Sequence, residues 1–132
     1  MTTFVDTSAL LAALNSADEH HQRAGAALRI LIESDEVLIS TNYIVVETFA
    51  VAQRRLGMEA VHTLQRDFIP LLQVLWIDEE SHDSSMAAFL TASRRRLSLV
   101  DCSSFEIMRR SGVRRAFAVD GHFEEHGFEQ IP

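Results

Sequence analysis

Short runs of β-branched and aromatic residues alternate along the chain with longer segments whose apolar positions recur at helical spacing. The runs Thr3–Val5, Val37–Ser40, Gln73–Ile77 and Arg115–Val119 read as buried strands, and a short fifth strand closes the chain within Gly127–Ile131. Between them, Thr7 opens an alanine- and leucine-rich helix through Leu14. His20 to Glu33 forms a second helix with Ala24, Ala27, Leu28, Leu31 and Ile32 on one face. Thr41 and Asn42 cap a helix from Tyr43 to about Arg55, which Gly57 closes. Another runs from Met58 to about Leu72, with Pro70 near its end. Asp78 caps a helix from Glu79 to Arg95 whose core candidates are Met86, Phe89 and Leu90. Ser98-Leu99-Val100-Asp101 is a capping pattern ahead of a helix that passes Met108 and stops at Gly112, and Gly121 to His126 supplies one last turn. Strands alternating with helices predict a three-layer α/β/α sandwich around a mainly parallel central sheet. With 132 residues, no linker and no internal repeat, residues 1–132 read as a single domain.

Composition narrows the class. No apolar run approaches the roughly 18 residues a membrane span needs, and the strand-like start has no basic leader. One cysteine, Cys102, cannot form an internal disulfide, which suits a reducing cytoplasm. The net charge of −7 argues against a simple polyanion binder. Yet every one of the 12 basic residues is arginine, grouped as Arg54-Arg55, Arg94-Arg95-Arg96, Arg109-Arg110 and Arg114-Arg115. Paired arginines suit bidentate phosphate contacts, although solvated helix ends explain them too. The absence of lysine excludes a Walker-type phosphate loop and Schiff-base chemistry.

Four acids stand out by their surroundings. Asp6 and Asp120 each follow the apolar strand that delivers them, and Glu47 is the only charged residue between Val37 and Gln53. Asp101 falls in the first turn of its helix. Capping explains Asp6 and Asp101 as well as chemistry does, and the residues alone leave both readings open. Right-handed crossovers bring strand ends and the helix starts that follow them to one edge of the sheet, where open α/β folds hold ligands. Four carboxylates gathered there repel one another unless a cation neutralises them, and hard oxygen donors select Mg²⁺ or Mn²⁺. Such a pocket is equipped for phosphodiester hydrolysis.

Phe4-Val5-Asp6-Thr7-Ser8, Asn42-Tyr43 with Glu47, Leu97-Ser98-Leu99-Val100-Asp101-Cys102 with Ser104-Phe105, and Phe117 with Asp120, His122-Phe123 and Gly127-Phe128 together resemble the PIN-domain ribonucleases. More narrowly, they resemble the VapC-like toxins of prokaryotic toxin–antitoxin pairs. The resemblance runs nearly end to end. It implies a Mg²⁺- or Mn²⁺-dependent endoribonuclease whose catalytic and metal-holding acids are Asp6, Glu47, Asp101 and Asp120. It also implies an RNA substrate, a homodimer and a cognate antitoxin protein. Gly121 stands where relatives often carry a basic residue. Ser8, Asn42 and Ser104 are candidates to orient the acids or a water, and capping explains each equally well. Arg95 and Arg96, just ahead of the helix that carries Asp101, are the candidate RNA contacts. Arg114-Arg115 opens the strand leading to Asp120 and belongs at the opposite edge of the sheet.

Other chemistries compete. His122-Phe123-Glu124-Glu125-His126 matches a zinc-hydrolase pattern, but glycines flank it and no long helix or third ligand follows. A haloacid-type phosphatase needs an acid where Ser8 stands. A housekeeping RNA-processing nuclease, or a catalytically silent module that only binds RNA or protein, remains compatible with the residues.

Overall fold

The computed structural model describes all of Met1–Pro132. Its five strands are β1 (Thr2–Val5), β2 (Val37–Thr41), β3 (Gln73–Leu75), β4 (Arg115–Phe117) and β5 (Glu129–Ile131). The helices are α1 (Thr7–Leu14), α2 (His21–Glu33), α3 (Asn42–Leu56), α4 (Met58–Thr63), α5 (Glu79–Ala92), α6 (Leu99–Ser111) and α7 (His122–Glu125). All four strand pairings are parallel and the sheet order is β3-β2-β1-β4-β5. The α/β class holds, with a sheet that is wholly rather than mainly parallel. No helix is long and apolar enough to cross a membrane.

β1 is the central strand because Thr3, Phe4 and Val5 are each fully buried, so both of its faces need cover. From β1 the chain winds outward through β2 to β3, then returns past β1 to place β4 on its other side. With right-handed crossovers, that reversal puts α1 to α4 on one face and α5 to α7 on the other. Phe105 of α6 stacks with Phe128 at 5.6 Å and meets Phe123 of α7 edge-on at 5.2 Å, while Phe123 also packs on Phe4 of β1. The reversal opens a crevice beyond the ends of β1 and β4.

Several boundaries differ from the sequence-based expectation. The segment after Met58 is not one helix. α4 gives way to a wider π-type turn over Leu64–Phe68, in which Ile69 N–H reaches back to the Leu64 carbonyl, and then to a tight turn over Ile69–Leu71. Pro70 has no N–H to continue an α-helix and its ring crowds the preceding turn, so the chain loosens ahead of it. β3 ends at Leu75, leaving Trp76 78% exposed. α5 stops at Ala92 because Ser93 turns left-handed at φ +48°. Leu90 and Ile32, expected in the core, are 65% and 45% exposed. In α5 the fully packed positions are instead Ser81 and Ser85. α5 lies along α6, whose Cys102, Ser103 and Ser104 are also buried. Small side chains let the two helices approach closely, and the serine hydroxyls of Ser85, Ser103 and Ser104 donate to carbonyls of their own helices.

The capping box ahead of α6 is complete: Asp101 N–H donates to Ser98 Oγ and Ser98 N–H donates to Asp101 Oδ2, both at 3.0 Å. Ser98→Ala removes one of these bonds and should cost about 1 kcal/mol. That lowers the melting temperature by roughly 4 °C, measured by differential scanning calorimetry, without loss of the fold.

Candidate active site

The crevice at the reversal is a cavity of about 500 Å³, lined by Asp6, Glu47, Asp101 and Asp120 together with Asp18 and Arg55. Each of the four singled-out acids comes from a different element. Asp6 follows β1, Asp120 follows the extended stretch beyond β4, Glu47 lies in the second turn of α3, and Asp101 lies in the first turn of α6. Asp6 and Asp101 are almost entirely buried, whereas the Asp120 side chain is about one-third exposed.

Capping and site position prove to be the same arrangement. Asp6 Oδ2 accepts from Ser8 N–H at 3.1 Å and from Ser8 Oγ at 2.6 Å, and Asp6 is the N-cap of α1. Asp101 Oδ2 accepts from Ser98 N–H and from His122 Nδ1 at 3.2 Å. Asp120 Oδ1 accepts from His122 N–H at 3.1 Å. In each aspartate one oxygen is held by local donors, and the other makes no hydrogen bond within the protein. Neither Asp6 Oδ1, Asp101 Oδ1 nor Asp120 Oδ2 is a sealed, unpaired atom. Three oriented carboxylates thus offer free oxygens to one cavity.

Ser8 ties the two strand ends together: its Oγ donates to Asp6 and accepts from Val119 N–H at 3.1 Å. Asn42 and Ser104 do not reach the acids. Asn42 Oδ1 accepts from Ile77 N–H at 2.8 Å, pinning the segment beyond β3, and Ser104 Oγ donates to Val100 O at 3.0 Å. Neither makes a hydrogen bond to one of the four acids. Arg95 and Arg96 lie exposed in the turn between α5 and α6 and do not line the cavity, and Arg94 pairs with Glu125 at 3.7 Å. Arg115 sits at the opposite edge, as expected, 3.7 Å from the buried Glu36.

Two residues gain importance from the structure. Gly121 adopts φ +85°, a left-handed turn that favours glycine and folds His122 back over the acids. The His122 ring then lies near both Asp101 and Asp120, and ligand atoms of these three residues fall within 4.8 Å of one another. His126 does not join them. Its Nδ1 bonds to the His122 carbonyl at 2.9 Å and its ring stacks on Phe105 at 4.4 Å, so the zinc-hydrolase reading of this segment fails. The other residue is Arg55, the one cation in the lining. Its signal lay in spacing, since Glu47, Val51 and Arg55 are four residues apart on one face of α3 and all three line the cavity.

The electrostatics follow from burial first and from crowding second. Burial pushes the Asp6 carboxyl up to about 7, with the nearby Asp120 and Asp101 charges adding to the rise and the Ser8 bonds opposing it. Burial also raises Glu47, opposed by the Thr7 hydroxyl and reinforced by Asp101 and Asp120. A site in which burial and neighbouring acids together raise Asp6 and Glu47 is short of positive charge, and the donor set fits a divalent cation.

The chain belongs to the PIN domain family, whose model matches residues 3–129. Among named relatives, the 23S rRNA-specific endonuclease VapC20 of Mycobacterium tuberculosis is 31% identical over 131 residues, covering 97% of this chain and 96% of the relative. The crystal structure of that VapC20, a sarcin–ricin loop cleaving toxin, superposes with a TM-score of 0.83 at 29% identity over the full length of both chains. The fold is shared further with FitAcB from Neisseria gonorrhoeae (TM-score 0.69, 17% identity, 100% of this chain and 97% of the other). It is also shared with VapBC2 from Rickettsia felis (TM-score 0.72, 10% identity, 98% and 97%).

The raised Asp6 carboxyl has a thermodynamic consequence. The native state binds this proton more tightly than the unfolded chain, so without metal its contribution to stability falls as pH rises from about 4 to about 7. A displacement of about three units corresponds to at most about 4 kcal/mol. Thermal melts in chelator from pH 5 to pH 8 should show the parent losing stability relative to Asp6→Asn as pH increases. A pH-independent difference between the two would show that Asp6 is not strained.

Proposed function

We propose that the protein is a divalent-metal-dependent endoribonuclease that hydrolyses RNA phosphodiester bonds as the toxin of a toxin–antitoxin pair. One observation carries this reading: acids from four separate elements line a single cavity at the reversal of a parallel sheet. Membership of the PIN family and the likeness to an rRNA-cleaving toxin support the choice of RNA.

In this reading Asp6, Asp101 and Asp120, with Glu47 completing the acidic set, would hold Mg²⁺ or Mn²⁺. When bound, the cation draws charge from the phosphate, acidifies water and offsets the charge on the leaving oxygen. The protein's own groups do the positioning. Ser8 fixes the rotamer of Asp6 and the distance between strand ends, while the capping box fixes Asp101. His122 restrains Asp101 and Asp120 against each other. Glu47, half-buried and raised above the ordinary carboxyl range, is suited to take a proton from attacking water. The exposed Arg95 and Arg96 extend the path for RNA beyond the cavity. A homodimer belongs to the same reading.

Asp101→Asn and Asp120→Asn should each slow cleavage of RNA by at least about a hundredfold. Mn²⁺ should raise the melting temperature of the parent by mass action and do so less in these variants. Cleavage by Asp101→Asn at the parent rate would displace the assigned site.

The same acidity explains how an antitoxin would silence the enzyme. A basic segment laid over the cavity would neutralise the carboxylates and exclude RNA. An arginine-rich peptide should inhibit cleavage, with affinity that falls as salt rises and falls again on Asp120→Asn. Peptide binding, measured directly by fluorescence anisotropy, that is indifferent to both would rule out this mode.

A further inference from the structure

Arg55 is the only positive side chain in a cavity that Asp6, Asp18, Glu47, Asp101 and Asp120 line, yet it pairs with none of them. Elsewhere in the chain, arginines near acids do pair: Arg66 with Asp67, Arg94 with Glu125, Arg110 with Glu106 and Arg115 with Glu36. Arg55 occupies the last turn of α3, two turns beyond Glu47 on the same helical face, with Val51 between them. Eight residues at the α-helical rise place it about 12 Å along the axis from Glu47. Leu11 and Val51 give the cavity an apolar wall, which Leu56 extends beyond Arg55. The four acids gathered at the strand ends and α-helix starts thus share a cavity with an uncommitted guanidinium about two helical turns from Glu47, and Asp18, beyond the end of α1, adds a further acid to the lining.

We propose that Arg55 binds a phosphodiester of the substrate strand that flanks the one being cut, and that the nucleotide between them rests on Leu11 and Val51. This assignment rests on the nuclease reading. A planar guanidinium with five donors suits phosphate oxygens, and an arginine with no partner in the protein gives up none when it takes one. Its distance from the acids separates it from the reacting phosphate, so its contribution is to binding and register rather than to the chemical step.

Position at a helix C-terminus offers a competing role, since cations there complement the helix dipole. Arg54, its neighbour, shares that position but does not line the cavity, which makes it the matched control. RNA affinity is measured against salt with a short single-stranded RNA oligomer of mixed sequence, in an Asp101→Asn background that prevents cleavage. Arg55→Ala should weaken binding roughly tenfold and lower the slope of log affinity against log salt by about 0.7. Arg55→Lys should keep the slope and part of the affinity, while Arg54→Ala should keep both. In the active protein, Arg55→Ala should raise KM about tenfold with kcat within about twofold. The Mn²⁺-induced rise in melting temperature should match or exceed the parent's, because losing a positive charge from the cavity favours a bound cation. A parent that binds and cuts RNA, matched in affinity and slope by Arg55→Ala, overturns the assignment alone. Loss of RNA binding that tracks a loss of Mn²⁺ stabilisation also overturns it, because Arg55 would then act through the acids. A parent that neither holds nor cuts RNA with Mn²⁺ removes the nuclease reading, and this assignment with it.

Discussion

The burial of carboxylates side by side where β1 and β4 end is the constraint that the rest of the fold answers. Burying an ionised carboxyl is costly unless donors or cations compensate it. The fold supplies compensation from its backbone, because strand ends and helix starts are where N–H groups lack partners. Ser8 N–H, Ser98 N–H and His122 N–H each turn to one oxygen of Asp6, Asp101 and Asp120. One oxygen per carboxylate is restrained and one remains free, and the surplus negative charge of the free set faces a common space. The same backbone geometry therefore builds the helices and aims the ligands.

That coincidence explains why the sequence was informative about the acids. An aspartate that ends an apolar run is visible as an anomaly, and so is a glutamate in an uncharged helical stretch. Capping had looked like a rival reading of Asp6 and Asp101, and in the structure it is how these residues are held. What the sequence hid depends on tertiary geometry. Asn42 looks like a site residue beside Tyr43, but its carbonyl oxygen is occupied by Ile77, a contact made only once β3 lies beside β2. Arg54 and Arg55 are indistinguishable as letters and differ by about 100° around α3. Phase relative to Glu47 selects one of them for the cavity. The core was legible where large apolar residues define it, and misread where α5 packs through serines and turns Leu90 to solvent.

α7 shows how little chain a site needs when a glycine sets its direction. Only a left-handed Gly121 and His122 separate Asp120 from Phe123, which packs with Phe105 and Phe128 in an aromatic cluster. Phe123 is fully buried and anchors the turn, while His122, one residue earlier, faces the acids. Apolar anchorage on one side thus fixes a polar side chain on the other, with no longer scaffold required.

The sheet order carries a consequence for the moment at which activity arises. β1 is made first, but one of its two neighbours, β4, is made near the end, after α6. Until β4 emerges and pairs, Asp6 has no Asp120 beside it and Val119 offers no N–H to Ser8. A nascent chain that has completed β1, β2 and β3 holds the first two acids and lacks a cavity. Synthesis from the N-terminus, with domains folding as units, therefore withholds the finished centre from the ribosome that is building it until almost the whole chain has been released. The order of strands in the sheet thus sets when the acids first come to share one cavity.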